Sequence, residues 1–272
     1  MATAEQQVSP APFDSVAATY DETFSFSHVG QAQRNAVWRH LRKAFRPGER
    51  ILEIGCGTGV DACFLAKNGV SIEAIDPSSE MLVVASRRVQ VQALQKMVRL
   101  SRLRAEDLGK LATDGPFDGA FSNFGALNCL EHVRSFAADL AGLLKPGARA
   151  LLVWIGPHCF WEIAWHLARR NPKKAFRRFS RERVIARIGD GPCFRVCYPS
   201  VRNLIDAFRP DFRTGSIRGI GVTVPPSYTD ASMSRHLRWL RAFEKADIFL
   251  ERIPGIRVCA DHILLEFQRR ER

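Results

Sequence analysis

The sequence predicts an α/β fold built on a doubly wound, mostly parallel sheet. Three observations predict it. Short apolar β runs alternate with helical stretches from Arg50 to Ile155. A Gly-x-Gly-x-Gly turn, "GCGTG" (55–59), joins the first of these runs to a helix. A carboxylate, Asp76, closes the second run about twenty residues later. Strand–helix repetition with short connections is the pattern of parallel sheets covered by helices.

The elements follow in order. Residues 1–12 read as a disordered lead, small and polar with two prolines. From Phe13 to Phe45 the pattern is helical, with Asp14 a candidate cap and Ala36, Val37, His40, Leu41 and Ala44 on one face. Pro47-Gly48 ends it. "RILEIG" (50–55) is a first strand, and "VDACFLAKNG" (60–69) a helix stopped by Asn68-Gly69. "VSIEAID" (70–76) is a second strand. Ser78 then caps a helix whose apolar face is Met81, Leu82, Ala85 and Val89. "MVRLSRLRA" (97–105) and "FDGAFSNFGAL" (117–127) give two more strands, and "VRSFAADLAGLL" (133–144) a helix. "KPG" (145–147) reads as a turn before the strand "ARALLVWI" (148–155). Beyond it the pattern predicts an irregular helical insertion over 157–190, strands within 210–224 and 257–268, and a helix near 231–250.

Composition bounds the class. The 272 residues are 46% hydrophobic and 25% charged, which suits a globular chain with a sizeable core. No uninterrupted apolar run reaches bilayer length, and the N-terminus lacks the basic start and apolar stretch of a signal peptide. Seven scattered cysteines fit reduced thiols in a cytoplasmic protein. Cys193 and Cys197 have no companion pair at ligand spacing, so no metal is expected. Charge is unevenly placed: residues 1–152 carry 17 Lys/Arg against 16 Asp/Glu, while 153–272 carry 23 against 12. The basic half favours anionic partners.

The glycine turn decides the cofactor class. Glycines let backbone approach a ligand closely, and the helix N-terminus offers unpaired N–H groups. A dinucleotide fingerprint wants glycine where Val60 stands, and a phosphate loop wants a Lys that is missing. Glu53, two residues before the first glycine, would repel a pyrophosphate and attract an ammonium group. Asp76 is placed to accept two ribose hydroxyls. A ligand with ribose, adenine and a cationic end but no phosphate is S-adenosylmethionine.

With "LEIGCGTG" (52–59), "IDPSSEML" (75–82), "AEDL" (105–108), "SNFGALN" (122–128) and "LLKPGARALLV" (143–153) in order, the chain resembles the class I S-adenosylmethionine-dependent methyltransferases over about Phe13 to Ile155. "NFGALN" is most similar to quinone C-methyltransferases and related small-molecule enzymes. The resemblance implies a Rossmann-like seven-strand sheet with helices on both faces plus a helical cap. It places Gly55, Cys56, Gly57 and Gly59 along the methionine part, with Glu53 near its amino group. Asp76 would bind the ribose, and Pro77, Ser78 and Met81 would border ribose and adenine. Ala105, Glu106 and Asp107 would meet the adenine edge, and Asn123 and Phe124 would lie under the methionine moiety. Tyr20-Asp21 matches an N-terminal lid. Arg104 stands where relatives often carry Asn or Asp. Cys56 reads better as a small turn residue than as a nucleophile, and Met81 is also a natural core residue.

Methyl transfer from a sulfonium rests mainly on positioning, and a base is needed only for a hydroxyl, acidic carbon or protonated amine. His158, Tyr20 and Tyr228 are the catalytic candidates, with His28, His132 and Asp21 behind them. The segment 159–183 opens with Phe160, Trp161 and Trp165 and then turns strongly basic. Its basic part, 169–183, suits an acidic carrier protein or an anionic membrane surface, against the plainer reading of a solvated basic face.

The expected organisation is a lid of helices over 1–45, a cofactor-binding core over 46–156, an acceptor-side insertion over 157–209, and C-terminal strands and helix over 210–272. The expected activity is methylation of a small hydrophobic or aromatic metabolite, with S-adenosylhomocysteine as product; the basic half would tolerate an anionic group on it. A nucleic-acid methyltransferase is the rival, weakened because no N-P-P-[YF] motif follows the fourth strand. A non-catalytic cofactor-binding scaffold is the other.

Overall fold

The computed structural model describes residues 11–111, 115–180, 182–187 and 191–271. Most of the expected N-terminal lead, 1–10, therefore lies outside the described residues, as do Arg181 and 188–190 of the insertion.

Among the described residues, nine strands form two sheets. The large one is ordered β3-β2-β1-β4-β5-β9-β8. Its parallel strands are β1 (Arg50–Ile54), β2 (Ser71–Asp76), β3 (Val98–Arg102), β4 (Phe117–Ser122) and β5 (Leu144–Ile155). A short ribbon pairs β6 (Val184–Ala186) with β7 (Phe194–Val196). β8 (Phe212–Ile220) and β9 (His262–Arg269) close the far edge, β9 antiparallel to both its neighbours.

Side-chain alternation puts a separate core on each face. Leu52 and Ile54 of β1 point to the face covered by α4 (Val133–Leu143) and α7 (Val201–Phe208), with Phe136, Leu140, Leu204 and Phe208 buried there. Ile51 points to the face covered by α1 (His28–Ala44), α2 (Val60–Lys67) and α3 (Ser79–Val91), with Val37, Leu41, Leu65 and Val89. Glu53, two residues after Ile51 and alternating with Leu52 and Ile54, shares the α1–α2 face near the tip of the strand. The chain winds outward from β1 to β3 and then returns to β4 on the other side of β1. That reversal opens a crevice at the tips of β1 and β4, the usual ligand site of such sheets.

Several local expectations are corrected. Asp14 does not cap a long helix: it opens a 3-10 turn (Asp14–Val16), and its carboxylate accepts from Ala11 N at 2.7 Å and from the Ser78 hydroxyl. Ser27 caps the real helix, α1, by accepting from Gly30 N. "KPG" is no turn between elements; β5 already runs from Leu144, which pairs with Phe117 before a register shift absorbs the extra residues. The last strand begins at His262, preceded by a 3-10 turn over Arg257–Cys259. The helix near 231–250 is two, α8 (Asp230–Met233) and α9 (Leu237–Leu250). The insertion holds α5 (Phe160–Ala168) and α6 (Pro172–Ala175), followed by the unexpected β6–β7 ribbon. α7 was also missed, although Ser200 as cap with Leu204 and Phe208 four apart is a helical signature.

At the far edge Phe208 stacks on Phe267 at 4.2 Å and meets Phe212 at 5.4 Å. Truncating Phe267 leaves a cavity among these rings, so Phe267→Ala should cost about 3–5 kcal/mol of stability in urea unfolding. Ligand affinity at the distant β1–β4 crevice should not change.

Candidate functional site

The glycine turn is shaped by its own backbone. Gly55 N and Cys56 N both donate to Ile75 O, at 2.8 and 3.0 Å, which pins the turn to the tip of β2. Gly55 has φ +72°, and a Cβ there would meet Ala126 Cβ at 2.3 Å, so no other residue fits. Gly57 has φ +52° with open space where its Cβ would be. Gly57 N donates to Asp76 Oδ2 at 2.8 Å and Ser78 N to Asp76 Oδ1 at 2.9 Å. The carboxylate is thereby aimed before any ligand arrives. Ser78 caps α3 by accepting from Met81 N, and Met81 is buried.

Behind the turn lies a hub that sequence reasoning missed. Arg34 of α1 and Asp61 of α2 form a buried ion pair at 2.6 Å. Asp61 also accepts from Trp38 Nε1 at 2.6 Å and from Asn123 Nδ2 at 3.0 Å. Asn123 Oδ1 accepts from Phe124 N, and Phe124, at φ +48°, places its ring 4.7 Å from the Arg34 guanidinium. The signal for this hub was in the sequence: Asp61 sits in the first turn of the glycine helix and Arg34 in the middle of an apolar helical face.

Glu53 lies beside this hub with Oε2 buried and without a hydrogen-bond partner. Burial pushes its carboxyl well above the usual range, Asp61 adds to the push, and Arg34 opposes it. Asp76 is lifted to about 6 by burial, against the two N–H donors that hold it down. Cys56 is buried and its thiol is pushed up, which suits a turn residue and not a thiolate nucleophile. An unpartnered buried acid, open space over Gly57 and an aimed second carboxylate fit a ligand with one cationic and one diol end.

Residues of the N-terminal segment reach the same place. Asp21 accepts from Thr58 Oγ1 at 2.7 Å and pairs with Arg88. Tyr20 packs between Phe13 and Phe24, and Phe24 meets Phe124 at 5.0 Å. Burial pushes the Tyr20 phenol up to about 12, with Arg34 opposing. Pro77 is exposed at the start of the turn before α3. Ala105, Glu106 and Asp107 open the 3-10 turn Ala105–Leu111, where Glu106 lies 3.7 Å from Arg104 and Asp107 3.0 Å from Lys110.

The other catalytic candidates lie elsewhere. Tyr228 is close to Trp165 and His166, and burial raises its phenol, with Glu162 adding to the rise. His158 meets the Phe179 ring edge-on at 4.8 Å. His28 and His132 are exposed at helix starts. A second buried cluster was not foreseen. Arg178 donates to Glu162 Oε2 at 2.6 Å and to Asp261 Oδ1 at 2.8 Å, while Gln33 Nε2 donates to Asp261 Oδ2 at 3.1 Å. It locks the insertion to α1 and to the start of β9. There His262 meets the Phe124 ring at 5.5 Å. Among the described residues no cluster of His, Cys, Asp or Glu fits a metal ion.

Residues 51–147 match the family described as "Methyltransferase domain". Residues 51–147 thus carry a methyltransferase domain. The chain is 37% identical over 145 residues to a demethylmenaquinone methyltransferase of Clavibacter sepedonicus, covering 52% of this chain and 56% of that one. It is 30% identical over 149 residues to a 2-phytyl-1,4-naphtoquinone methyltransferase of Trichormus variabilis, covering 53% and 62%. The chain thus spans little more than half the length of the curated relatives it matches. Among solved structures it is similar in fold to a DhpI–SAH complex (TM-score 0.59, 17% identity, covering 96% and 94%). It is also similar to geranyl diphosphate C-methyltransferase from Streptomyces coelicolor A3(2) (TM-score 0.56, 15% identity, covering 86% and 77%).

Two outcomes follow from the site. Arg34→Ala strands the buried Asp61 charge and should cost about 3–5 kcal/mol in chemical unfolding, with part recovered in Arg34→Ala/Asp61→Asn. Asp76, raised in the folded state, favours folding most when protonated. Its contribution is full below about pH 4 and is lost as pH rises through about 6. Removing it in Asp76→Asn should therefore improve relative stability between pH 4 and pH 7 by up to about 3 kcal/mol in ligand-free protein. Parallel urea titrations across that range measure the difference.

Proposed function

We propose that the chain transfers a methyl group from S-adenosylmethionine to a small hydrophobic or aromatic acceptor of the quinol type. The observation that carries the proposal is the unpartnered buried carboxyl of Glu53 beside the glycine turn, with Asp76 aimed across it. The names of the quinone-methylating relatives support the acceptor class. When bound, S-adenosylmethionine supplies a methyl carbon for in-line attack, with the C–S electron pair staying on sulfur.

The chain's residues do the holding. Asp76 accepts from the ribose hydroxyls while its own N–H donors fix its direction. Glu53 ionises when an ammonium group arrives, because the cation offsets what burial and Asp61 oppose. Gly55, Cys56, Gly57 and Gly59 give the methionine part a close backbone surface. Pro77, Ser78 and Met81 border the ribose and adenine, and Ala105, Glu106 and Asp107 the adenine edge. Asn123 acts mainly through Asp61 and the Phe124 amide, so that Phe124 becomes the wall under the methionine moiety. Tyr20 and Tyr228, with raised phenols, serve as hydrogen-bond donors at neutral pH and not as bases. His158 is the candidate base for the acceptor proton.

In this reading 1–45 is the lid, 46–156 the cofactor core, 157–209 the acceptor side, and 210–272 the closing strands and helix, in a cytoplasmic protein. No helix among the described residues is long and apolar enough to cross a membrane. The basic stretch 169–183 is the surface for an anionic partner.

Three measurements test this. Calorimetric titration should show S-adenosylmethionine binding, weakened about 100-fold or more in Asp76→Ala, which loses two charge-assisted hydrogen bonds; unchanged affinity would remove the ribose assignment. The same titration, repeated across pH in buffers of different ionisation enthalpy, should show proton release on binding that extends above the usual carboxylate range and is absent in Glu53→Gln. Incubation with a labelled methyl donor should label reduced naphthoquinones. Label found instead in RNA or DNA would favour the nucleic-acid rival.

A further inference from the structure

The insertion is folded with its ions inside and its apolar residues outside. On α5 the inward face carries Glu162, Trp165 and His166. Glu162 is buried and receives Arg177 Nε at 2.8 Å and Arg178 Nη2 at 2.6 Å. The outward face carries Phe160, Ala164, Leu167 and Ala168, spaced i, i+4, i+7, i+8, so they form one stripe. All four are exposed, Phe160 by 67% and Leu167 by 45%. Phe176 and Phe179 follow, exposed by 46% and 47%, their rings 5.6 Å apart. A helix meant for water places these groups the other way round.

The charges beside the stripe have one sign. Arg169, Arg170, Lys173 and Lys174 are exposed, and the only acid between 159 and 180 is the buried Glu162. An apolar stripe ending in exposed cations fits the boundary between lipid headgroups and acyl chains. The stripe also adjoins the acceptor side through the inner face of the same helix. There Trp161 Nε1 donates to Thr223 O at 2.8 Å, and the Tyr228 ring lies 6.3 Å from Trp165 and 6.1 Å from His166.

We propose that segment 159–180 docks on an anionic bilayer surface, with the α5 stripe and Phe176/Phe179 entering the headgroup boundary and the four cations meeting lipid phosphates. The helix then lies between bilayer and acceptor pocket, so a lipid-soluble acceptor enters without crossing water. Only this last role rests on the proposed methyl transfer. Lipid docking itself needs neither cofactor nor turnover.

The test is co-sedimentation of the full chain with phosphatidylcholine vesicles, with and without phosphatidylglycerol. The wild type should partition onto the phosphatidylglycerol-containing vesicles and little onto phosphatidylcholine alone. Phe160→Ser/Leu167→Ser should lower that partition at least about tenfold. Lys173→Glu/Lys174→Glu should lower it and remove its salt sensitivity. These side chains point outward, so melting temperature and S-adenosylhomocysteine affinity should stay at wild-type values, which separates docking from folding and from the methyl-transfer reading. Absence of partition, or equal partition by the variants, overturns the proposal. So does a lipid-free dimer that Phe160→Ser/Leu167→Ser abolishes, because a second copy would then be the occupant.

Discussion

The buried ion pair of Arg34 and Asp61 ties together the parts on which the site depends. It joins helix α1 to the glycine helix α2, and through Asn123 it reaches the tip of β4. Burying two charges is costly, and their attraction compensates only when the remaining polar atoms are also satisfied. Asp61 meets that condition with Trp38 and Asn123 as added donors. Arg34 meets it less completely, since its Nε has no partner and its guanidinium faces the Phe124 ring. The pair therefore fixes direction more than it adds stability. Both its charges reach Glu53, where Asp61 adds to the upward push of burial and Arg34 opposes it.

Two carboxyls, Glu53 just before the glycine turn and Asp76 bonded to its Gly57, then stand at the turn. Glu53 is unpartnered and its carboxyl is pushed up, so it gains most from an incoming cation. Asp76 is already aimed by Gly57 and Ser78, so it gains from hydroxyl donors at little cost in reorganisation. The proposed class of ligand rests on this pairing. A pyrophosphate would face an acid at one end and leave an aimed acceptor idle at the other.

Most of the fold was legible because it is local. Glycine-bounded β runs, the Asn68-Gly69 stop and the Ser78 cap each carry their signal within a few residues. What was missed depends on distant partners or on competing local signals. Asp14 looked like a helix cap, yet its carboxylate serves Ala11 and Ser78. Lys145-Pro146-Gly147 looked like a turn, yet a register shift lets β5 run through it. At the site, Glu53, the glycines and Asp76 were visible through spacing, whereas Arg34 and Asp261 became functional candidates only when their partners were placed. Glu162 shows the same limit. One acid in a basic, aromatic segment gives no hint in sequence that it is the buried anchor of the whole insertion.

In the proposed function the two carboxyls read the two ends of an adenosyl sulfonium cofactor. A crystal structure of the chain with S-adenosylhomocysteine tests it most directly. The account predicts the ligand's amino group against Glu53 and its ribose diol on Asp76, with the methionine part lying along Gly55–Gly59. A ligand seated elsewhere, or one whose ribose leaves Asp76 bonded only to Gly57 and Ser78, would contradict it.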